Sequence, residues 1–126
     1  LRFGDYLNDK TFRMHNEYYN LALRHLHTVS KIKHLWVFSD DEKRAREILE
    51  IPEGVIDRWI VGQSIEPAEA FEIMRLGYNY IISNSTYSYW AAVLSHQIET
   101  TVIAPAQWFN SHSEPVDLCP KEWIRI

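Results

Sequence analysis

The sequence predicts an α/β fold: one parallel sheet with helices on both of its faces. Three observations lead there. Short apolar runs such as Leu35-Trp36-Val37-Phe38 and Thr100-Thr101-Val102-Ile103-Ala104 alternate with segments of helical composition. The chain breakers Pro52, Gly54, Gly77 and Pro105 fall between these segments rather than inside them. Small polar and charged residues gather where the apolar runs end, the edge of such a sheet at which ligands bind.

Taken in order, Met14, Tyr18, Leu21, Ala22 and Leu26 share one face of a helix over residues 14–28. Leu35 to Phe38 is too short for a helix and reads as a buried strand. Ser39-Asp40-Asp41 precedes a polar helical segment, Glu42 to Glu50, whose first turn an Asp can cap and whose positive end it suits. Pro52-Glu53-Gly54 makes a break, and Val55 to Val61, with Trp59 and Ile60, is the second strand. Pro67 sits where a helix can begin; Ala70, Phe71, Ile73 and Met74 form its apolar stripe, and Gly77 stops it. Tyr80 to Ile82 is a third strand, and Tyr87 to His96 a helix holding Ala91, Ala92 and Leu94. Thr100 to Ala104 is the fourth strand, and Trp123-Ile124-Arg125-Ile126 a last apolar piece. Leu1 to Tyr6 reads as a strand end entering a loop, a place where a domain seldom opens. The 126 residues are therefore expected to be a fragment, or one domain of a longer polypeptide.

The length suits a single core, and the 46% apolar and 24% charged fractions are those of a globular protein. No apolar run nears the roughly 20 residues of a spanning helix, and no secretory signal pattern is present. A formal net charge of −4 without a basic block argues against nucleic acid as a partner. A charged ligand must then be held by a few placed groups. Cys119, the single cysteine, cannot form an internal disulfide, which favours a reducing compartment; no motif marks it as a nucleophile, so it reads as structural. His15, His25, His27, His34, His96 and His112 lack metal-ligand spacing and read as surface or edge residues. Trp90 and Trp108 read as core, with the lining of a sugar pocket as the alternative.

Three polar clusters fall at predicted strand ends: Arg2 to Asp5, Ser39 to Asp41 and Ser83 to Ser88. Their shared placement argues for one site. The third is the least ordinary. Ser83, Asn84, Ser85, Thr86 and Ser88 exceed what a helix cap needs, and hydroxyls with backbone N–H groups at a helix N-terminus hold anions. Arg2 offers a planar fork suited to phosphate, and Asp5 can orient it; the plainer reading is a surface ion pair. Asp40 and Asp41 are open to several uses: a metal, acid–base chemistry, hydrogen bonds from a base, or a helix cap. Adjacent carboxylates on a turn point apart and no further ligand is near in sequence, which leaves acid–base pairing and metal binding the weakest of these.

These motifs, in this order, resemble those of the α-1,2-fucosyltransferase family, glycosyltransferase family 11. Leu1-Arg2-Phe3-Gly4-Asp5-Tyr6 resembles the later part of the family's His-x-Arg-Arg-Gly-Asp-Tyr, with Phe3 where the family has its second Arg. Phe38-Ser39-Asp40-Asp41 matches its Phe-Ser-Asp-Asp after a strand. Asn84 to Ala92 matches its Asn-Ser-Ser/Thr-Phe-Ser-Trp-Trp-x-Ala, with Tyr87 and Tyr89 as aromatic replacements. Ile103-Ala104-Pro105, Trp108-Phe109 and Cys119-Pro120-Lys121-Glu122-Trp123-Ile124 resemble its closing pattern, while Ala70 stands where the family usually has Asp.

The resemblance implies a GT-B fold of two Rossmann-like halves. Residues 1–126 would be the C-terminal, nucleotide-sugar-binding half, without the N-terminal acceptor half and inactive alone. It implies inverting transfer of fucose from GDP-fucose to a hydroxyl, that of galactose O2, on a glycan acceptor, with no essential metal and no other cofactor. By the same resemblance Arg2 binds the β-phosphate and offsets charge on the leaving diphosphate. Asp5, Ser39, Asp40 and Asp41 fall in the donor site, with Asp40 accepting hydrogen bonds from guanine; Asn84, Ser85 and Ser88, with Thr86 alongside, hold the pyrophosphate. A bacterial member would work at the cytoplasmic face of the membrane and an animal one in the Golgi lumen. Three rivals stand beside this reading. One is a nucleotide-sugar-binding domain without turnover, motivated by Phe3, and another a transferase using UDP or CMP donors. The third is a flavodoxin-like or receiver-like signalling domain with Asp40-Asp41 as its acidic pocket, which leaves Asn84 to Trp90 unexplained.

Overall fold

A computed structural model describes residues 1–4, 11, 14–62 and 64–126. Along the chain run α1 (Asn16–Ser30), β1 (His34–Ser39), α2 (Glu42–Ile48), β2 (Ile56–Val61), α3 (Pro67–Met74), β3 (Asn79–Ile81), α4 (Thr86–Val93), β4 (Thr101–Ala104) and β5 (Ile124–Arg125). The alternation expected from sequence is present, and the described strands pair in parallel. The fold is α/β and fits a Rossmann-like unit.

The strands form two hydrogen-bonded sets, β1-β2 and β3-β4-β5, where one sheet was expected. The reason lies at Leu1 to Phe3. The backbone nitrogen of Leu1 bonds to the Phe38 carbonyl of β1, and its side chain packs on the same α1 cluster as Ile81 of β3 and Ile103 of β4. This segment joins the two sets without forming a strand of its own.

The β3-β4-β5 set is covered on both faces, as a parallel sheet requires. Side chains alternate along β4, so Val102 and Ala104 enter a cluster with Tyr80, Ile82, Ala92, Trp108 and Cys119. Ile103 points the other way, onto Tyr18, Tyr19, Ala22 and Leu26 of α1. The Tyr18 hydroxyl lies 2.6 Å from the Ile82 carbonyl and 3.1 Å from that of Ile103, tying α1 to the sheet.

Three details depart from the sequence reading. Leu21 is 48% exposed, while Leu23 and Tyr19 are buried. The helix carries apolar residues on two overlapping stripes, and the sheet selects the one through Tyr18, Tyr19, Ala22, Leu23 and Leu26. Helix α4 stops at Val93 rather than His96, because the His96 N–H goes to the Arg75 carbonyl at the end of α3. Trp108 is core, but Trp90 is 51% exposed. Other local signals hold. Pro67 opens α3, and Gly77 donates to the Met74 carbonyl where the chain leaves it. Cys119 is buried, and burial pushes its thiol pKa up, away from nucleophilic reactivity. Among the described residues no helix is long and apolar enough to cross a membrane.

Candidate functional site: an anion seat at the strand ends

The chain that leaves β1 meets the Leu1–Gly4 segment directly. Arg2 Nη1 lies 3.4 Å from Asp40 Oδ2, and the Phe3 amide donates to Asp40 Oδ1 at 2.8 Å. Asp40, remote in sequence, is thus a partner of Arg2; Asp5, to which sequence reasoning gave that role, lies outside the described residues. No local signal reveals this pairing, since 37 residues separate Phe3 from its acceptor.

Gly4 is part of the same construction. A Cβ on Gly4 would stand 2.9 Å from Asp40 Oδ2, closer than real Cβ atoms come. The carboxylate is held by Phe3 and Arg2, so it must give up that position to make room. Gly4→Ala is expected to weaken anion binding about tenfold, the equivalent of one lost charge-assisted hydrogen bond. Calorimetric titration with a nucleotide diphosphate checks this, and unchanged affinity would refute the steric argument.

The other residues of the second motif serve the turn. Asp41 caps α2 by accepting from the Arg44 amide at 3.0 Å, and the Ser39 hydroxyl bonds to the Asp41 backbone. Of Ser39, Asp40 and Asp41, the structure brings Asp40 to Arg2. Phe3 is buried, and the Arg44 guanidinium lies 5.3 Å from the centre of its ring. The position that lacks an arginine therefore has one over it, supplied by α2. Ala70 is buried on α3.

The third cluster divides into a foundation and a rim. Ser83 and Asn84 are buried, and the Asn84 amide donates to the Trp108 carbonyl at 2.9 Å, anchoring the turn to the loop after β4. Ser88 turns its hydroxyl to the Ser83 and Ser85 carbonyls. Ser85 is the N-cap of α4 but makes no capping bond, and Thr86 is exposed beside it. A helix start without a side-chain cap has first-turn N–H groups to offer, and its dipole favours negative charge there. The start of α2, by contrast, is occupied by Asp41.

Tyr19 lies between the Ser83 turn and Arg2. Its hydroxyl faces the Arg2 backbone, Asp40 and the Ser83 side chain, and burial raises its pKa, keeping it protonated. Arg2, Asp40 and Ser83, one residue from each sequence cluster, thus lie around this hydroxyl. A separate hollow of about 630 Å³ lies elsewhere, between the segments leading into β4 and β5. Its lining includes Glu99 and Glu122 and no Lys or Arg, so it does not suit an anionic ligand.

The α/β unit thus carries a guanidinium beside a carboxylate, and a serine-rich helix start, at the strand ends where such folds bind ligands. Comparison with known proteins names the family. The family model described as Glycosyl transferase family 11 matches residues 1–126, and the chain belongs to that family. It is 29% identical to the O-antigen biosynthesis glycosyltransferase WbnK of Escherichia coli, over all of this chain and 43% of that protein. It is 31% identical to an alpha-1,2-colitosyltransferase of Escherichia coli, again over all of this chain and 46% of that protein. The chain therefore spans less than half the length of these relatives. No solved structure matches it.

Proposed function

We propose that the protein transfers fucose from GDP-fucose to the 2-hydroxyl of a galactose on a glycan acceptor, inverting the anomeric carbon, and that residues 1–126 bind the donor. What supports this reading is the Arg2–Asp40 pair at one strand end and the uncapped start of α4 at another, in a chain of glycosyl transferase family 11.

In this reaction the acceptor oxygen bonds to the anomeric carbon as the bond to the β-phosphate oxygen breaks. The diphosphate leaves with the electron pair, and the acceptor proton passes to a base. The chemical demand falls on the leaving group, which gains negative charge. Arg2, oriented by Asp40, meets the β-phosphate, and the first-turn amides of α4 with Ser85 and Thr86 meet its partner oxygens. These groups strengthen their hold as charge develops, which is where electrostatic catalysis acts. Asn84 and Ser88 hold the turn in shape. Asp40 has its carboxylate on Phe3 and Arg2, and we assign it to orienting Arg2 ahead of reading guanine.

A second donor is favoured by one observation, the relative named as an alpha-1,2-colitosyltransferase. Titrations of the purified protein with GDP-fucose, GDP-colitose, GDP-mannose and UDP-galactose test both. The expected order places GDP-fucose first. Tighter binding of GDP-colitose moves the assignment to that donor, and preference for the uridine nucleotide overturns it.

A further inference from the structure

Tyr18 and Tyr19 are neighbours on α1, both buried, with rings in edge contact at 5.1 Å. Their hydroxyls have opposite fates. That of Tyr18 is placed on the Ile82 and Ile103 carbonyls. That of Tyr19 is directed at the Arg2 backbone and the Ser83 side chain, with the Asp40 charge nearby, yet completes no well-formed hydrogen bond. Tyr19 is only 4% exposed. A buried hydroxyl left in this state costs about 1–3 kcal/mol of desolvation, and native proteins seldom leave one without a reason.

The location suggests the reason. Leu1 packs on the α1 cluster that holds Tyr19, and the neighbouring Tyr18 bonds to Ile82, the residue before Ser83, so the Tyr19 hydroxyl stands between the arginine-bearing segment and the serine turn. Phenylalanine at this position would fill the same core space beside Ala22 and Ile103 without the penalty. The hydroxyl is therefore a feature that packing does not call for.

We propose that Tyr19 is a positioning residue: its hydroxyl couples the Arg2 segment to the Ser83 turn, and an anion bound across both draws it into a full hydrogen bond. The inference rests on the donor-site reading above. It makes the contributions of Arg2 and of the α4 turn interdependent, because one buried group lies against both. The hydroxyl does not ionise in this role; it is a neutral donor held ready.

The test is a set of phenylalanine variants in the purified full-length protein, titrated calorimetrically with GDP and GDP-fucose. Tyr19→Phe is expected to keep or slightly raise the melting temperature and to weaken nucleotide binding about fivefold to tenfold, the loss of one hydrogen bond. Tyr18→Phe is expected to do the reverse, lowering the melting temperature with affinity within about twofold, since its bonds serve the fold. A double-mutant cycle with Arg2→Ala adds a readout that a structural role would not move. If Tyr19 acts through Arg2, Tyr19→Phe costs less than about twofold once Arg2 is gone. Wild-type affinity in Tyr19→Phe overturns the inference and leaves the donor site standing. So does an equal loss in the presence and absence of Arg2. A wild-type protein that binds neither nucleotide overturns both.

Discussion

Replacing Arg2 with alanine is expected to reduce glycosyl transfer about 100-fold to 1000-fold, some 2.7–4 kcal/mol of transition-state stabilisation. The magnitude follows from position. Arg2 is half exposed at the strand ends and is oriented by a carboxylate that the backbone of the next residue holds in place. In the proposed reaction a leaving diphosphate gains charge as the sugar departs, so an arginine beside it would act more on the transition state than on the ground state. Folding should scarcely notice the change, since a partly exposed ion pair contributes under about 1 kcal/mol. Arg2→Lys is expected to recover little, because an ammonium is a point charge and cannot reproduce the planar fork that Asp40 aligns. The measurements are kcat and KM with the melting temperature beside them. The loss should appear mainly in kcat. Activity within about threefold of wild type would remove Arg2 from the reaction and, with it, the main support for the donor-site reading.

How much of this was readable beforehand depends on whether the cause was local. Strand and helix positions were, because Pro67, Gly77 and the Pro52–Gly54 break act through their own backbone, and Asp41 caps the helix that follows it. The serine turn was readable as a turn into a helix, since its residues are contiguous. What failed was long-range. Nothing near Asp40 says that its carboxylate will accept from Phe3, and nothing near Phe3 says that Arg44 will lie over its ring. The buried stripe of α1 was misjudged because Leu21 and Leu23 are both apolar and only the sheet decides between them. Tyr19 carries no signal in the sequence, because the direction of a buried hydroxyl is not local information.

Ile103 is where fold and site depend on the same side chain, and Ile103→Ala is expected to destabilise the protein by about 2–5 kcal/mol. The residue is fully buried in β4, which is flanked by β3 on one side and β5 on the other. Its side chain fills the space against Tyr18, Tyr19, Ala22 and Leu26, and its carbonyl accepts from the Ile82 amide and from Tyr18. A strand bonded on both edges cannot move inward to close a cavity, so the cost belongs in the upper part of the range. The consequence reaches the site through α1, because the cavity opens beside Tyr19, whose hydroxyl faces Arg2 and Ser83. Urea unfolding measures the stability loss as a shifted midpoint at unchanged slope. Ile98→Ala supplies the comparison: that side chain is fully exposed, and its removal should stay within about 0.5 kcal/mol. A cost below about 1 kcal/mol for Ile103→Ala would mean that β4 is not the packed centre of its sheet. The clusters at the strand ends would then lack the rigid support that an oriented Arg2 requires.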